Sequence, residues 1–155
     1  MNKIKWCLKA KDGIELVEPS SNLAEAYLLK AQSSLQTLRQ VSDRDWKIST
    51  AYYTMYFSLY SILMKIGIKC EIHTCTLEFM KQFLSEFFIE DGYKIISDAF
   101  KSRVDAQYYI NRAVPDEVYR KIVAKASDFM LKCKEIVNKI NEKKIIEIRN
   151  KVKNY

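Results

Sequence analysis

Residues that interrupt regular helix are scarce in this sequence. Its 155 residues include only 3 glycines and 2 prolines, so tight turns are few and the elements between them are long. Hydrophobic residues make up 48% of the chain, which is enough to form a core without disulfides or metal. We therefore expect a single domain, all-α in class, over residues 1–155.

Cysteine and histidine are also scarce, and neither forms a recognisable site. The first residues lack the apolar stretch and cleavage site of a signal peptide, so we expect a cytoplasmic protein with reduced cysteines and no Cys70–Cys75 disulfide. Cys70, His73 and Cys75 offer three soft ligands where a structural zinc site needs four, so no metal and no cofactor are expected. The 4 cysteines are scattered along the chain, at Cys7, Cys70, Cys75 and Cys133.

Several catalytic motifs are absent, and the net charge is compatible with more than one function. No Gly-rich phosphate loop, nucleophile elbow or paired-carboxylate motif occurs. The net charge of +7 would attract phosphate-bearing partners, although it also suits an ordinary soluble protein. Lysines near the carboxyl end alternate with Glu135, Glu142 and Glu147, which is typical of a solvated face. The alternative, a basic surface for RNA, predicts binding that weakens strongly with salt.

An uncharged run over residues 48–64 approaches the length of a membrane-spanning helix. Its four tyrosines and several serines and threonines make it polar for lipid. Because its apolar side chains lie on nearly all faces, we expect a buried central helix that the other helices surround.

Apolar residues at three- and four-residue spacing predict five helices. Ser20, Ser21 or Asn22 caps helix one, and Ser42 or Asp43 caps helix two. Gly67 ends helix two, since glycine accepts the left-handed conformation. Helix four is interrupted near Asn111 because Pro115 disfavours helix in the residue before it. Helix five is expected to be the longest. The approximate ranges are 22–41, 43–66, 76–88, 92–110 and 115–140.

The two ends of the chain lie outside the predicted bundle of residues 22–140. Lys3–Trp6 and Ile14–Leu16 alternate in polarity around Asp12-Gly13, which predicts a short β-hairpin within residues 1–19. The alternative is an extended N-terminal arm. Residues 141–155 form a basic C-terminal tail that we expect to fray.

Two segments resemble a known family. The stretch Ala51–Tyr56, followed by Lys65–Ile68 and His73, is similar to the second helix and following turn of HEPN-domain proteins. Arg103–Tyr108 is similar to the Arg-x-x-Ala-Asp-Tyr signature of one HEPN branch, with Gln107 where that branch usually has Asp. The resemblance covers about residues 22–140. It implies a four- to five-helix up-and-down bundle, often dimeric, often encoded beside a minimal nucleotidyltransferase and found in toxin-antitoxin or defence contexts.

The resemblance also implies a specific test of catalysis. Several HEPN proteins are metal-independent endoribonucleases in which a histidine follows an arginine after four to six residues, so that arginine holds the phosphate and histidine moves the 2′-hydroxyl proton. After Arg103 the corresponding positions hold Tyr108, Tyr109 and Ile110, and no histidine follows Arg112 at this spacing either. Tyrosine is a poor base at neutral pH. We therefore expect little or no ribonuclease activity.

The candidate ligand-binding residues lie on helix four: Arg103, Asp105, Tyr108 and Tyr109. The guanidinium fork of Arg103 matches a phosphate, and it equally matches a carboxylate within the bundle. Tyr108 and Tyr109 would stack on a base or fill the core. For a divergent enzyme the catalytic candidates are Arg103, Tyr108 and His73, the only histidine. The alternative for His73 is a capping or loop-fixing hydrogen bond.

Three functional hypotheses follow. The first is a non-catalytic HEPN-like module that binds a nucleotide or RNA, as a homodimer or with a nucleotidyltransferase partner. The second is a divergent metal-independent endoribonuclease. The third is a structural helical dimer without a ligand. A surplus of aromatic residues on helices two and four favours self-association in each case.

Overall fold

The computed structural model describes residues 2–155 and, within that range, every side chain except that of residue 90. This part of the chain forms a helical bundle with one small two-stranded sheet, which confirms the all-α expectation. The elements in chain order are α1 (Lys3–Lys9), β1 (Glu15–Leu16), α2 (Ser21–Gln40), α3 (Arg44–Ile66), β2 (Ile68–Lys69), α4 (His73–Phe83), α5 (Glu90–Tyr108), α6 (Asp116–Lys139) and α7 (Glu142–Lys153).

Helix α3 is the centre of the bundle, as predicted for helix two. It packs mainly against α2, α6 and α5, and its buried side chains lie on nearly every face. Asp43 caps its first turn by accepting from the backbone N–H of Trp46 at 3.0 Å. Gly67 ends it with a left-handed φ of 90°, a conformation that costs glycine little. Within residues 2–155, no helix combines the length and apolarity that a membrane span requires.

Two amphipathic helices cover α3 with single apolar stripes. α2 buries five residues at helical spacing, and α6, which at 24 residues is the longest helix described, buries six. Both stripes follow the predicted periodicity, and the length of α6 confirms the expectation for helix five. Helix α4 begins three residues before the predicted range 76–88. It ends five residues early because residues 84–88 form turns and bends.

The predicted hairpin within residues 1–19 is only half present. Glu15–Leu16 is a strand, but Lys3–Trp6, its expected partner, belongs to helix α1, where Asn2 accepts from the backbone N–H of Ile4. Strand β1 instead pairs antiparallel with β2, with Leu16 opposite Ile68. The first segment is helical because Ile4 and Cys7, three residues apart, are both buried on one face. An isolated hairpin would have had no such burial.

The expectation of a fraying basic tail is wrong. Residues 142–153 form α7, which buries Ile148 and Val152 and begins where the Asn141 side chain accepts from the backbone N–H of Lys144 at 2.9 Å. Arg149 on α7 donates from Nη1 to three carbonyl oxygens: Val17 at 2.7 Å, Gly67 at 2.8 Å and Ile66 at 3.2 Å. The tail is ordered because it packs against segments far away in sequence.

The expectation of reduced cysteines is wrong for two of the four. Cys7 on α1 and Cys75 on α4 form a disulfide, with a Cα–Cα distance of 5.5 Å and a sequence separation of 68 residues. Cys70 and Cys133 are free and buried. The pairing of Cys7 with Cys75 depends on α1 packing against α4, which the hairpin prediction did not include.

Candidate functional site

Arg103 on α5 lies against the aromatic face of α3. Its guanidinium carbon is 5.1 Å from the ring centre of Tyr52, 5.4 Å from that of Tyr53 and 5.9 Å from that of Phe100. Nη1 donates to the Tyr53 hydroxyl at 3.1 Å and to Oε1 of Gln107 at 3.1 Å. Rings and two neutral acceptors therefore hold the side chain in one orientation.

No carboxylate lies within 4 Å of Arg103 in the described part of the chain. Its nearest acidic neighbour on the helix, Asp105, lies 3.6 Å from Arg112 instead. Nε of Arg103 is buried and has no hydrogen-bond partner. Arg103 therefore does not belong to a carboxylate network among the described residues. Aromatic π faces and neutral dipoles surround its charge instead.

His73 approaches the same tyrosines of α3 from helix α4. It is the first residue of α4, and its Nδ1 shares a hydrogen bond of 2.7 Å with the Tyr52 hydroxyl. Its ring stacks on Tyr56 with centroids 4.0 Å apart and 8° between the planes. Burial, and to a lesser degree the positive charge of Arg103, lowers the pKa of His73. The imidazole is therefore neutral at physiological pH.

The tyrosines beside His73 stay protonated. Burial raises the pKa of Tyr52 well above its usual range and does the same for Tyr56, whose hydroxyl lies 3.2 Å from Oγ1 of Thr76. Neither phenol can serve as a base near neutrality. Both act as neutral hydrogen-bonding groups that orient their neighbours.

We refer to Arg103, His73, Tyr52, Tyr53 and Phe100 as the Arg103 cluster. The structure brings together two candidates that the sequence left on separate elements, because Arg103 and His73 both contact Tyr52. Sequence reasoning missed Tyr52, Tyr53 and Phe100 as members. The signal for the two tyrosines was present, since both lie in the Ala51–Tyr56 stretch that resembles the family.

The other helix-four candidates lie apart from this cluster. Tyr108 is 65% exposed and Tyr109 is 40% exposed, and the guanidinium of Arg112 covers the Tyr109 ring at 3.8 Å. Asp105 belongs to this second group through its contact with Arg112. The predicted ligand-binding set therefore divides into Arg103 on one side and Asp105, Tyr108 and Tyr109 on the other.

The Arg103 cluster is aromatic and carries the positive charge of Arg103. It contains one arginine, one imidazole and the phenol rings of Tyr52 and Tyr53, with no acidic residue. Among the described side chains, no three from His, Cys, Asp or Glu converge as metal ligands would.

No known family model matches this chain, and no curated protein matches it in sequence. The resemblance to HEPN-domain proteins therefore rests on the motifs of residues 51–73 and 103–108 alone.

Proposed function

We propose that the chain is a HEPN-like module that binds the phosphate of a nucleotide or RNA without cleaving it, and that Arg103 is the contact. The observation that carries the proposal is a fixed guanidinium whose charge no carboxylate neutralises among the described side chains. A phosphate is a common biological ligand for a guanidinium. With Nη1 bonded to Tyr53 and Gln107 and Nε buried, Nη2 is the N–H group of Arg103 that would donate to a phosphate oxygen. The net charge of +7 would assist association.

The identity of residue 107 supports the proposal. The amide of Gln107 accepts from Arg103 at 3.1 Å and leaves the arginine's charge intact. The similar HEPN branch usually has Asp at this position, where a carboxylate could pair with the arginine. Gln107 therefore orients the guanidinium without competing with an anionic ligand.

The test compares isosteric side chains at position 107. Gln107→Glu keeps the shape and adds a negative charge beside Arg103, so we expect affinity for ADP and for single-stranded RNA to fall at least about tenfold. Arg103→Ala should lose binding to a similar degree. Isothermal titration calorimetry measures both. Arg120→Ala, at an exposed arginine on α6, is the matched control and should bind as the wild type does.

Two outcomes would contradict the proposal. Wild-type protein that binds neither ADP nor RNA favours the third hypothesis, a structural helical dimer. Binding that Arg103→Ala and Gln107→Glu leave unchanged would move the phosphate contact elsewhere on the surface. Circular dichroism of each variant excludes loss of fold as the cause.

A divergent metal-independent endoribonuclease is the second candidate, and one observation favours it. His73 is neutral and shares Tyr52 with Arg103, so a base and a phosphate-holding cation lie in one cluster. Neutral imidazole can accept the proton of a 2′-hydroxyl, and arginine can stabilise the phosphorane. Cleavage of labelled RNA in EDTA, lost in both His73→Ala and Arg103→Ala, would establish this candidate in place of pure binding.

We also propose that the module acts as a homodimer or beside a minimal nucleotidyltransferase, in a toxin-antitoxin or defence context. Exposed apolar side chains support a protein partner: Trp46 is 63% exposed, and Ile110 is fully exposed. Sedimentation velocity at tens of micromolar tests the homodimer. A single monomeric species would contradict it, and co-purification with a nucleotidyltransferase encoded next to it tests the other partnership.

A further inference from the structure

An aromatic stripe continues from the Arg103 cluster along α3. Trp46, Thr50, Tyr53 and Phe57 follow one another at spacings of four, three and four residues, which places them on one face of the helix. The rings of Tyr53 and Phe57 have centroids 5.5 Å apart and 27° between their planes, and both side chains are half-buried. Trp46 extends the stripe with a ring that is 63% exposed.

A second helix adds hydroxyl groups beside this stripe. Ser33, Ser34 and Thr37 of α2, together with three residues of the stripe, line an open depression of about 290 Å³. Hydroxyl groups both donate and accept hydrogen bonds, and they match the sugar and base edges of a nucleotide. The depression is therefore aromatic on one wall and hydroxyl-rich on the other.

A cation lies at each end of the aromatic pair. Arg103 donates to the hydroxyl of Tyr53 at 3.1 Å, and Nζ of Lys30 on α2 lies 4.8 Å from the ring centre of Phe57. Like Arg103, Lys30 has no carboxylate within 4 Å among the residues that the structure describes. Both positive charges remain available to an anion that spans the two rings.

We infer that the face formed by Lys30, Tyr53, Phe57 and the α2 hydroxyls binds single-stranded RNA, with bases on the rings and phosphates on Lys30 and Arg103. The inference rests on the proposed function and extends it to a ligand class. Flat rings can stack only on bases that are not already stacked within a duplex. Lys30 and Arg103, neither paired with a described carboxylate, lie on either side of the aromatic rings. This arrangement complements an RNA strand, in which phosphates and bases alternate.

The experiment measures fluorescence anisotropy of labelled oligouridine of about twelve residues, a length within the usual range for one binding module. Phe57→Leu keeps apolar volume but removes the ring, so we expect affinity to fall at least about fivefold. Lys30→Gln should lower the slope of log affinity against log salt by about 0.7, because one fewer counterion is released.

The chain offers a matched control pair. Lys81 on α4 lies 5.6 Å from the ring centre of Tyr93 on α5, a similar lysine-over-ring arrangement that does not line the depression between α2 and α3. Lys81→Gln and Tyr93→Leu should leave oligouridine binding unchanged. If these variants weaken binding as much as the Lys30 and Phe57 variants do, the effect is non-specific and the inference is overturned.

Further outcomes separate this inference from the proposed function. Binding that depends on Arg103 but not on Phe57 or Lys30 overturns the extended face and leaves the phosphate contact intact, as does binding of ADP without oligouridine. A duplex RNA that binds as tightly as oligouridine also overturns it. Absence of binding to both ADP and oligouridine contradicts the proposed function itself. Thermal melts of Phe57→Leu and Lys30→Gln verify that each variant is folded.

Discussion

Arg103 and Arg149 are both half-buried and have no carboxylate within 4 Å among the side chains that the structure describes, yet their surroundings differ. Nη1 of Arg149 donates to the carbonyls of Val17, Ile66 and Gly67. Arg103 donates to two side chains and lies against aromatic rings. Arg149 therefore contacts main-chain atoms, whereas Arg103 contacts side chains.

This difference marks Arg149 as structural and supports the proposal that Arg103 is available to a ligand. The carbonyls around Arg149 lie at the carboxyl end of α3 and in the segment before α2, and the partial negative charge of a helix end attracts a cation. Arg149 therefore joins α7 to two segments distant in sequence. The hydrogen bonds of Arg103 go only to the side chains of Tyr53 and Gln107. We therefore expect variants of Arg149 to lower stability and variants of Arg103 to lower ligand affinity.

The largest expected effect concerns stability and tests the disulfide that joins α1 to α4. Cys7→Ser removes a cross-link across 68 residues, so we expect the free energy of unfolding to fall by about 2–4 kcal/mol, because the unfolded chain gains entropy. Urea denaturation measures it, and wild-type protein in reducing agent should match the variant. Equal stability of oxidised, reduced and Cys7→Ser protein would refute the prediction.

Arg149→Ala should have the next largest effect on stability. The substitution leaves three carbonyl oxygens without their charged donor, and we expect a loss of about 2 kcal/mol in the free energy of unfolding. RNA and ADP binding should stay at the wild-type level, since Arg149 does not belong to the Arg103 cluster. A variant of wild-type stability, or one that remains folded but no longer binds ligand, would break the distinction between the two arginines.

Arg103→Ala should show the reverse behaviour. It removes two hydrogen bonds to neutral acceptors together with a buried, unpartnered Nε, and these contributions oppose each other. We expect the free energy of unfolding to change by less than about 1 kcal/mol, while ligand affinity falls at least about tenfold. Urea denaturation and calorimetry on the same sample test both. A loss of stability as large as that of Arg149→Ala would make Arg103 structural.

The smallest expected effect concerns pH. The pKa of His73 is lowered in the folded state, so as pH falls below about 6.5 the unfolded chain binds the proton first. Stability is therefore complete above that pH and declines below it. His73→Gln should remove this part of the decline between about pH 7 and pH 5, where carboxylates contribute little. An identical pH dependence in wild type and variant would contradict the prediction.

The amino-acid sequence was sufficient to predict the bundle itself. Apolar spacing located α2, α3 and α6, and local chemistry located their ends, as Asp43 and Gly67 show. These features are predictable because a helix cap and an amphipathic stripe depend on residues within a few positions of one another. For the site, the sequence identified Arg103 and His73 as candidates, since few other side chains bind phosphate or transfer protons near neutrality.

The tertiary structure alone decided which distant residues meet. Strand β1 pairs with β2, which follows α3 in the chain, and Cys7 forms a disulfide with Cys75. Helix α7 is ordered because Arg149 contacts the end of α3. In the same way, His73 and Arg103 came together on Tyr52 although they lie on different helices. Each of these contacts joins two segments, and the sequence pattern of one segment does not predict its contact with the other. The contact lowers the free energy only when the packed helices hold both partners in place.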